Sequence, residues 1–295
     1  MTTNSEFLIY SLRAVLSAVA SGSLCKGDNV SRIAIDLDGV IWRGTEVIPD
    51  SVPAVYALLQ GGHQVVFCTN HAQSPEAKLA VLSGFGIEGI DVVTAAQAAA
   101  TYCTPQQSVL VLGDHSLTEV FLDQGILAVN VSDLPANGPA PQVDVVVVGA
   151  YSVWDRSRIA LAADAIRSGA TFLATNDDAT FPTSSPSGLR ILLGNGALVA
   201  AITAATGVVA EVAGKPNAAM ANVLTQRFGG IDLVIGDKPE TDGGLAVRLG
   251  AEFALVLSGV TRASDLPVFP EATYVADDLA GIVELLLPGH SGRHQ

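Results

Sequence analysis

The chain has 295 residues, 49% of them hydrophobic, and a formal net charge of −14. This length and composition are typical of a folded globular protein with one large or two smaller domains. A surface this acidic repels phosphate backbones, which argues against nucleic-acid binding. No uncharged apolar run reaches the roughly 18 residues that span a bilayer. The three cysteines are widely spaced and show no zinc-binding pattern, so we expect free thiols in a reducing compartment, the cytoplasm.

Residues 1–30 are predicted to form an extension ahead of the folded domain. Their apolar stretch contains Arg13, and Glu6 rather than a basic residue precedes it. A secretory signal has a basic start and an uninterrupted apolar centre, so these charges argue against one. We therefore expect an amphipathic helix over residues 5–20.

From residue 31 onward, short β-branched runs alternate with helical stretches rich in alanine and leucine. The predicted strands are Arg32–Leu37, Gln64–Thr69, Ser108–Leu112, Val143–Val148, Thr171–Thr175, Leu233–Ile235 and Phe253–Leu257. The predicted helices are Val52–Gln60, Pro75–Gly84, Ser116–Gln124, Ser157–Ser168, Ala197–Ala205, Pro216–Arg227 and Asp242–Leu249. This alternation, with nearly continuous apolar strands, is typical of a parallel α/β sheet. Ligands of such sheets bind beyond the carboxyl ends of the strands.

Two aspartates interrupt the apolar run IAIDLDGVIW where the first strand ends. Asp36 and Asp38 are two residues apart, so a strand directs both side chains to one side, and Gly39 allows a sharp turn after them. Carboxylates this close repel each other unless a cation intervenes, and Mg²⁺ prefers oxygen ligands. By itself, the pair is equally compatible with two aspartates that cap a turn.

The second strand ends in the triplet Thr69, Asn70 and His71. Ser74 and Pro75 follow, and proline suits the first position of a helix. A hydroxyl group and backbone N–H groups at a helix start can bind phosphate, although an ordinary helix cap uses the same residue types. His71 is equally compatible with a substrate contact and with capping.

Two more polar positions stand out in the second half of the chain. Lys215, in a turn of small residues, is the best candidate to neutralise an anionic substrate, although most lysines are exposed to solvent. Asp237 follows the apolar run LVIG and is a candidate metal ligand. Asp242 opens the next helix, where an acidic residue also suits the helix dipole.

Taken in this order, the motifs resemble the haloacid dehalogenase superfamily. Its four motifs are DxDG, here at 36–39, a threonine, here Thr69, a lysine, here Lys215, and GDxxxTD, here at 236–242. The stretch 174–207, followed by GKP, is similar to the NagD-like, p-nitrophenylphosphatase subfamily, subfamily IIA. That resemblance covers roughly residues 31–285.

The resemblance implies an α/β fold with a Rossmann-like parallel-sheet core and an inserted α/β cap domain. The core would comprise residues 31–92 and 207–287, and the cap residues 93–206. Residues 1–30 would precede the core, and residues 288–295 would form a tail. The cap would supply substrate specificity, as it does in this subfamily.

The resemblance also implies a Mg²⁺-dependent phosphatase that acts on small phosphomonoesters such as glycerol phosphate, phosphoglycolate or a sugar phosphate. Asp36 would attack phosphorus, and Asp38 would serve as the general acid and base. Mg²⁺ would be held by Asp36, by the backbone carbonyl of Asp38 and by Asp237, with Asp242 in support from the rim.

The phosphoryl oxygens would be bound mainly by Thr69 and Lys215. Backbone N–H groups of Asp38, Gly39 and Asn70 would assist them, because oriented N–H donors stabilise a developing negative charge. This expectation comes from the family pattern and from the position of these residues at the ends of strands.

Residues in the cap are predicted to choose the substrate. Asn176, Asp178 and Phe181 lie in the loop TNDDATF, which we expect to face the active site. Asp178 could bind a hydroxyl group and Phe181 could wall the pocket, whereas Asp177 is predicted to lie in a surface turn. Asp114 follows another strand–glycine pattern, but it lacks the downstream TD and is predicted to cap a helix.

Two other functions remain open from the sequence. One is a phosphotransferase or phosphomutase, although the interval from Asp38 to Thr69 is too short for the usual mutase cap. The other is a catalytically idle protein that binds phosphate esters, which the complete motif set disfavours. The expected partner is a small phosphorylated metabolite, with no nucleic acid and no membrane, and analogy suggests a homodimer formed through the cap.

Overall fold

The computed structural model describes residues 31–185 and 188–287, without the side chains of residues 182–189. The helix predicted over residues 5–20 and the tail at 288–295 lie outside these residues. None of the described helices is long and apolar enough to cross a membrane.

Fifteen strands and nine α-helices make up the described part of the chain. The strands are β1 (Arg32–Ile35), β2 (Trp42–Arg43), β3 (Glu46–Val47), β4 (Gln64–Thr69), β5 (Asp91–Thr94), β6 (Ser108–Leu112), β7 (Leu127–Asn130), β8 (Val145–Val148), β9 (Thr171–Ala174), β10 (Thr180–Ser185), β11 (Gly188–Leu193), β12 (Glu211–Val212), β13 (Leu233–Gly236), β14 (Glu252–Val256) and β15 (Tyr274–Ala276). The helices are α1 (Ser51–Gln60), α2 (Pro75–Gly84), α3 (Ala95–Ala100), α4 (His115–Asp123), α5 (Arg156–Arg167), α6 (Asn195–Thr206), α7 (Ala218–Phe228), α8 (Gly244–Leu249) and α9 (Leu279–Leu286).

Two parallel sheets organise these elements. The first, called the core sheet below, has the strand order β15-β14-β13-β1-β4-β5, and all of its pairs are parallel. The second, called the cap sheet, has the order β12-β9-β8-β6-β7 and is also parallel. The predicted α/β class is therefore confirmed.

The predicted limits of the cap, 93 and 206, differ from the membership of the two sheets. β5 continues to Thr94 and pairs with β4 in the core sheet. β12 comes after residue 206 and pairs with β9 in the cap sheet. Both strands are short and carry no pattern that distinguishes one sheet from the other. The core sheet therefore extends two residues beyond the predicted limit at 92, and the cap sheet extends six residues beyond the predicted limit at 206.

The predicted elements and the structure agree closely for the long strands. β4 and β6 match residue for residue, and the other five predicted strands differ by at most two residues at either end. The helix predicted from Asp242 begins later, at Gly244, because a single π-helical turn, Pro239–Gly243, precedes it. This turn brings Asp242 inward instead of leaving it at a helix start.

The core and cap sheets share one apolar interior. A single cluster of buried side chains contains Val66 and Val93 from the core sheet, Val111 and Val147 from the cap sheet, and the alanines of α3. Burial of apolar surface in common holds the two sheets together. On the other face of the core sheet, a second cluster packs β1 and β13 against α1 and α9.

Candidate active site

Three carboxylates meet at the carboxyl edge of the core sheet. Asp36 follows β1 and Asp237 follows β13, and these two strands are parallel neighbours. Asp242 comes from the π-helical turn after β13. One oxygen of each residue lies within 4.8 Å of the others, and all three residues are buried. We call these three residues the carboxylate cluster.

Burial and mutual repulsion disfavour ionisation of the carboxylate cluster. Burial raises the pKa of Asp36 well above its usual range; Lys215 opposes this rise, while Asp242 and Asp237 add to it. Burial, followed by the charge of Asp242, also raises the pKa of Asp237 to about 7. Full ionisation of the carboxylate cluster therefore requires positive charge close to it.

Among the described residues, Lys215 is the lysine whose side chain contacts the carboxylate cluster. Its Nζ lies 2.7 Å from Asp36 Oδ1, 2.7 Å from Asp242 Oδ1 and 3.0 Å from the carbonyl oxygen of Cys68. Burial lowers the pKa of this ammonium, but the charges of Asp242 and Asp36 outweigh burial and leave the pKa well above its usual value. The three contacts match its three hydrogens, so the ammonium is fixed in place.

The donor set fits a hard divalent cation. Three buried carboxylates face one lysine, so positive charge is still required for all of them to ionise. Every available ligand atom is a carboxylate oxygen, which suits Mg²⁺ and not a thiophilic metal. Asp242 belongs to this cluster by distance, and its two oxygens accept hydrogen bonds from Lys215 Nζ and the Lys238 backbone N–H, so its support of the cation from the rim or second shell stays a prediction.

Two glycines make room for Asp237. Gly39 has a φ of +82°, and a Cβ atom at this position would overlap the Asp237 carboxylate. A Cβ atom at Gly259 would overlap the same carboxylate. The Asp237 carboxylate also accepts a hydrogen bond of 2.6 Å from the backbone N–H of Val260. The glycine of the DxDG motif, Gly39, therefore leaves the space that the Asp237 carboxylate occupies.

The phosphate contact predicted for Gly39 is not supported. Its backbone N–H donates to the carbonyl oxygen of Trp42 over 2.7 Å, within the turn after β1. This hydrogen bond leaves no N–H for a phosphoryl oxygen. The reason is the tight return of the chain into β2, which the sequence did not reveal.

Asp38 lies apart from the carboxylate cluster. Its side chain is exposed, and Oδ1 accepts a hydrogen bond of 3.0 Å from Trp42 Nε1. The strand ends at Ile35, so the alternation that predicted a shared direction for Asp36 and Asp38 no longer applies. Asp36 is therefore buried beside Lys215, whereas Asp38 is exposed to solvent and hydrogen-bonded to the indole of Trp42.

Thr69 is the last residue of β4, and His71 lies in the loop that follows. Thr69 is buried, and its Oγ1 accepts a hydrogen bond of 3.1 Å from the backbone N–H of His71. Because the oxygen is the acceptor here, the hydroxyl hydrogen can be donated to a phosphoryl oxygen. Burial, with help from Lys78, lowers the pKa of His71 to about 4, so its ring is neutral near pH 7.

Asn70 holds the backbone of Lys215. Its Oδ1 accepts from the Lys215 backbone N–H over 2.7 Å, and its Nδ2 donates to the Lys215 carbonyl over 3.2 Å. A Cβ atom at Gly214 would collide with the Asn70 side chain. The side chain of Asn70 thus positions Lys215, a contact that the sequence prediction did not include.

The predicted cap residues connect the two sheets. Asn176 donates to the carbonyl oxygen of Asn70 over 2.8 Å. Asp178 accepts from Asn70 Nδ2 over 3.1 Å and forms an ion pair with Lys238. Phe181 is the second residue of β10, which lies against β2, and its side chain is half exposed. Asn176 and Asp178 therefore contact other protein groups, where substrate contacts were predicted.

Three residues near the site were missed by sequence reasoning: Trp42, Lys78 and Lys238. Lysine is scarce in this chain, and a scarce charged residue beside a motif is a usable signal. Lys238 was seen only as an unusual residue within the fourth motif. Lys78 was considered only as part of the predicted helix Pro75–Gly84, and Trp42 only as part of the apolar run IAIDLDGVIW.

Asp114 occupies the predicted N-cap position of α4, but its side chain makes no capping hydrogen bond. Its carboxylate instead accepts from the backbone N–H and hydroxyl of Ser152, at 3.3 and 3.0 Å. The predicted capping role is wrong, because the Asp114 carboxylate accepts its hydrogen bonds from the loop after β8 and not from the start of α4. Asp177 is exposed, as predicted.

Known proteins resemble this chain along most of its length. The family model of the haloacid dehalogenase-like hydrolases matches residues 33–127, and an HAD-hydrolase-like model matches residues 212–282. The D-glycerol 3-phosphate phosphatase of Mycobacterium tuberculosis is 35% identical over 263 residues, which cover 85% of this chain and 70% of that protein.

Solved structures agree with this match. The glycerol phosphate phosphatase of M. tuberculosis in complex with magnesium superimposes with a TM-score of 0.74 at 34% identity, over 86% of this chain and 76% of that one. The p-nitrophenyl phosphatase of Archaeoglobus fulgidus gives 0.75 at 27% identity, over 87% and 99%. The chain therefore belongs to the haloacid dehalogenase-like hydrolase family.

Proposed function

We propose that this hydrolase cleaves small phosphomonoesters with Mg²⁺ as cofactor, through an aspartyl-phosphate formed on Asp36. Phosphatase activity is common to the relatives named above. The observation that carries the proposal is the fixed ammonium of Lys215 between Asp36 and Asp242, inside a cluster that still requires positive charge.

Substrate binding would use the groups that converge on Asp36. A phosphoryl dianion would be attracted by the charge of the Lys215 ammonium and would accept a hydrogen bond from the Thr69 hydroxyl, and both groups are buried and held in place. The carboxylate cluster would hold Mg²⁺, which would supply the positive charge that lets the dianion approach acidic side chains. Preorganised donors of this kind stabilise the charge that develops during phosphoryl transfer.

Asp36 is placed to act as the nucleophile. Its carboxylate attacks phosphorus, the bond to the ester oxygen breaks, and the phosphoryl group becomes attached to Asp36. Lys215 contacts the same carboxylate at 2.7 Å, which holds the attacking group in one orientation. Water then hydrolyses the aspartyl-phosphate and releases inorganic phosphate.

Asp38 is placed to carry the proton. Its exposed carboxyl group, fixed by Trp42 Nε1 at 3.0 Å, can protonate the leaving alkoxide and afterwards accept a proton from the attacking water. The carboxyl group of Asp38 is not part of the carboxylate cluster, so it would stay free to transfer protons while the cluster holds the cation.

The test is turnover of p-nitrophenyl phosphate and of glycerol 3-phosphate by the purified chain. We expect release of inorganic phosphate with Mg²⁺, loss of that release on chelation with EDTA, and recovery when Mg²⁺ is restored. Asp114→Asn is a matched control, because Asp114 follows the same strand–glycine pattern in the cap sheet. Magnesium-independent hydrolysis of both esters would contradict the cofactor assignment.

The same assay separates the alternatives. A phosphotransferase or phosphomutase would move phosphate to an added alcohol or sugar phosphate without releasing an equivalent amount of inorganic phosphate. A binding protein would retain the ester unchanged. Neither alternative is favoured by a specific contact in the structure.

The expected partner is a small phosphorylated metabolite, and the cytoplasm is the proposed location. Cys68 and Cys103 are both free thiols, which supports a reducing compartment. A homodimer through the cap stays a prediction. Light scattering on the purified chain measures its mass directly, and a monomer at all concentrations would contradict it.

A further inference from the structure

Four lysines occur in the whole sequence, and three of them surround the proposed active site. The four are Lys26, Lys78, Lys215 and Lys238. Lys215 contacts two carboxylates of the cluster, and Lys238 pairs with Asp178. Within residues 31–185 and 188–287, Lys78 forms no ion pair, although it is only 5% exposed.

Lys78 lies beside the proton donor. Its Nζ is 5.9 Å from the centre of the Trp42 ring, and the indole of Trp42 is hydrogen-bonded to Asp38. Burial lowers the pKa of Lys78, and the carboxylates of Asp38 and then Asp36 raise it. A buried ammonium with only distant counter-charges gains more from a new anion than one already paired.

The position of Asp38 defines which part of a substrate Lys78 would meet. A general acid must reach the ester oxygen that departs, so the groups beside Asp38 line the leaving-group side. His71 borders the same place, and its buried Nδ1 has no hydrogen-bond partner among the described residues. A buried nitrogen of this kind calls for a ligand or an ordered water.

We propose that Lys78, with His71 beside it, binds an anionic substituent on the alcohol part of the substrate, specifically a carboxylate close to the ester oxygen. This inference rests on the proposed phosphatase function and specifies its substrate class. Lys78 would be a specificity-determining residue. Lys215 would act on the phosphoryl group through its charge, because its three hydrogens are already donated to Asp36, Asp242 and Cys68.

The test compares two esters that differ only at the substituent. Phosphoglycolate carries a carboxylate where hydroxyethyl phosphate carries a hydroxymethyl group. We expect the Mg²⁺-loaded enzyme to show a higher kcat/KM for phosphoglycolate by about tenfold or more, as a charge-assisted hydrogen bond implies. Lys78→Met should reduce this ratio about tenfold, and Lys78→Arg, which keeps the charge, should retain most of it.

The ratio, rather than the absolute rate, is the readout, so a general loss of activity does not imitate the effect. Arg227→Met is the matched control, because Arg227 pairs with Asp91 at the amino end of β5, and its loss should leave the ratio unchanged. Equal kcat/KM for the two esters in the wild-type enzyme, or an unchanged ratio in Lys78→Met, would overturn the inference while leaving the phosphatase intact. If neither these esters nor p-nitrophenyl phosphate is hydrolysed, the proposed function fails, and this inference fails with it.

Discussion

The same short motif, strand–glycine–aspartate, occurs at the carboxyl edges of both sheets with different results. In the core sheet, Asp237 is buried in the carboxylate cluster, and its pKa is raised to about 7. In the cap sheet, Asp114 binds the hydroxyl of Ser152, and a pocket of about 300 Å³ lies beside it. The difference arises from the neighbours: glycines at 39 and 259 and the π-helical turn crowd carboxylates together only in the core sheet.

The largest expected difference between the two sheet edges is in kcat, when the proposed nucleophile Asp36 and the cap-sheet residue Asp114 are each replaced by asparagine. Asp36→Asn should lower kcat for p-nitrophenyl phosphate by about a thousandfold or more, because an amide cannot form the phosphoryl intermediate. Asp114→Asn should change kcat by less than about twofold, since this residue touches no reacting group. Rapid-quench and steady-state assays measure both values. A variant at 36 that keeps a tenth of the wild-type rate would contradict the assignment.

The second expected effect concerns cation binding at the two aspartates. Asp237→Asn should weaken Mg²⁺ activation by about tenfold to a hundredfold, because it replaces one of three anionic carboxylates with a neutral amide. Asp114→Asn should leave the Mg²⁺ titration unchanged. Activity measured against Mg²⁺ concentration provides the comparison. Identical titrations for both variants would remove Asp237 from the ligand set.

A smaller effect on KM is expected from the ion pair between Asp178 and Lys238, which joins the cap loop to the edge of the core sheet. Asp178→Asn and Lys238→Met should each raise KM about threefold to tenfold, since either change breaks the ion pair between the cap loop and the fourth motif. The double variant should be no worse than the worse single one, with a coupling of about 1 kcal/mol. Additive losses would show that the two residues act independently.

The smallest expected effect concerns stability. The folded-state pKa of Asp237 lies above its ordinary value of 3.8, so the folded state retains a proton that the unfolded chain releases. The metal-free protein should therefore lose stability as pH rises from about 4 to about 7, and no further above that range. In EDTA at pH 8, Asp237→Asn should melt about 3 °C or more above the wild type. At pH 5 the two melting temperatures should converge, and a constant difference across pH would argue against this titration.

Much of the fold could be predicted from local pattern. β4 and β6 have apolar runs bounded by clear turn residues, and their limits were predicted to the residue. The hairpin strands β10 and β11 were missed because their serine, proline and glycine content is typical of a loop. β12 contains only two residues, and it belongs to the cap sheet because it pairs with β9, which lies far from it in the sequence.

The site was predictable where a residue works alone and less so where it works through a neighbour. Lys215 lies in a turn of small residues, and Asp237 follows an apolar strand, and both positions could be recognised in the sequence. In the structure, Asp237 belongs to the carboxylate cluster and Lys215 contacts it. The hydrogen bonds from Asn70 to the backbone of Lys215 join residues 145 positions apart, which no spacing can show. The engagement of the Gly39 N–H by Trp42 depends on the exact path of a turn.

The scarcity of lysine gives this protein an internal chemical reporter. An amine-directed acylating reagent has four side-chain targets in the sequence, and peptide mass spectrometry can quantify each one separately. Lys238 is one-third exposed, whereas Lys215 is buried with a raised pKa and should resist modification. Lys78, whose pKa is lowered by burial, has the larger share of reactive neutral amine. Protection of Lys78 from acylation would thus follow occupancy of the leaving-group side without any measurement of turnover.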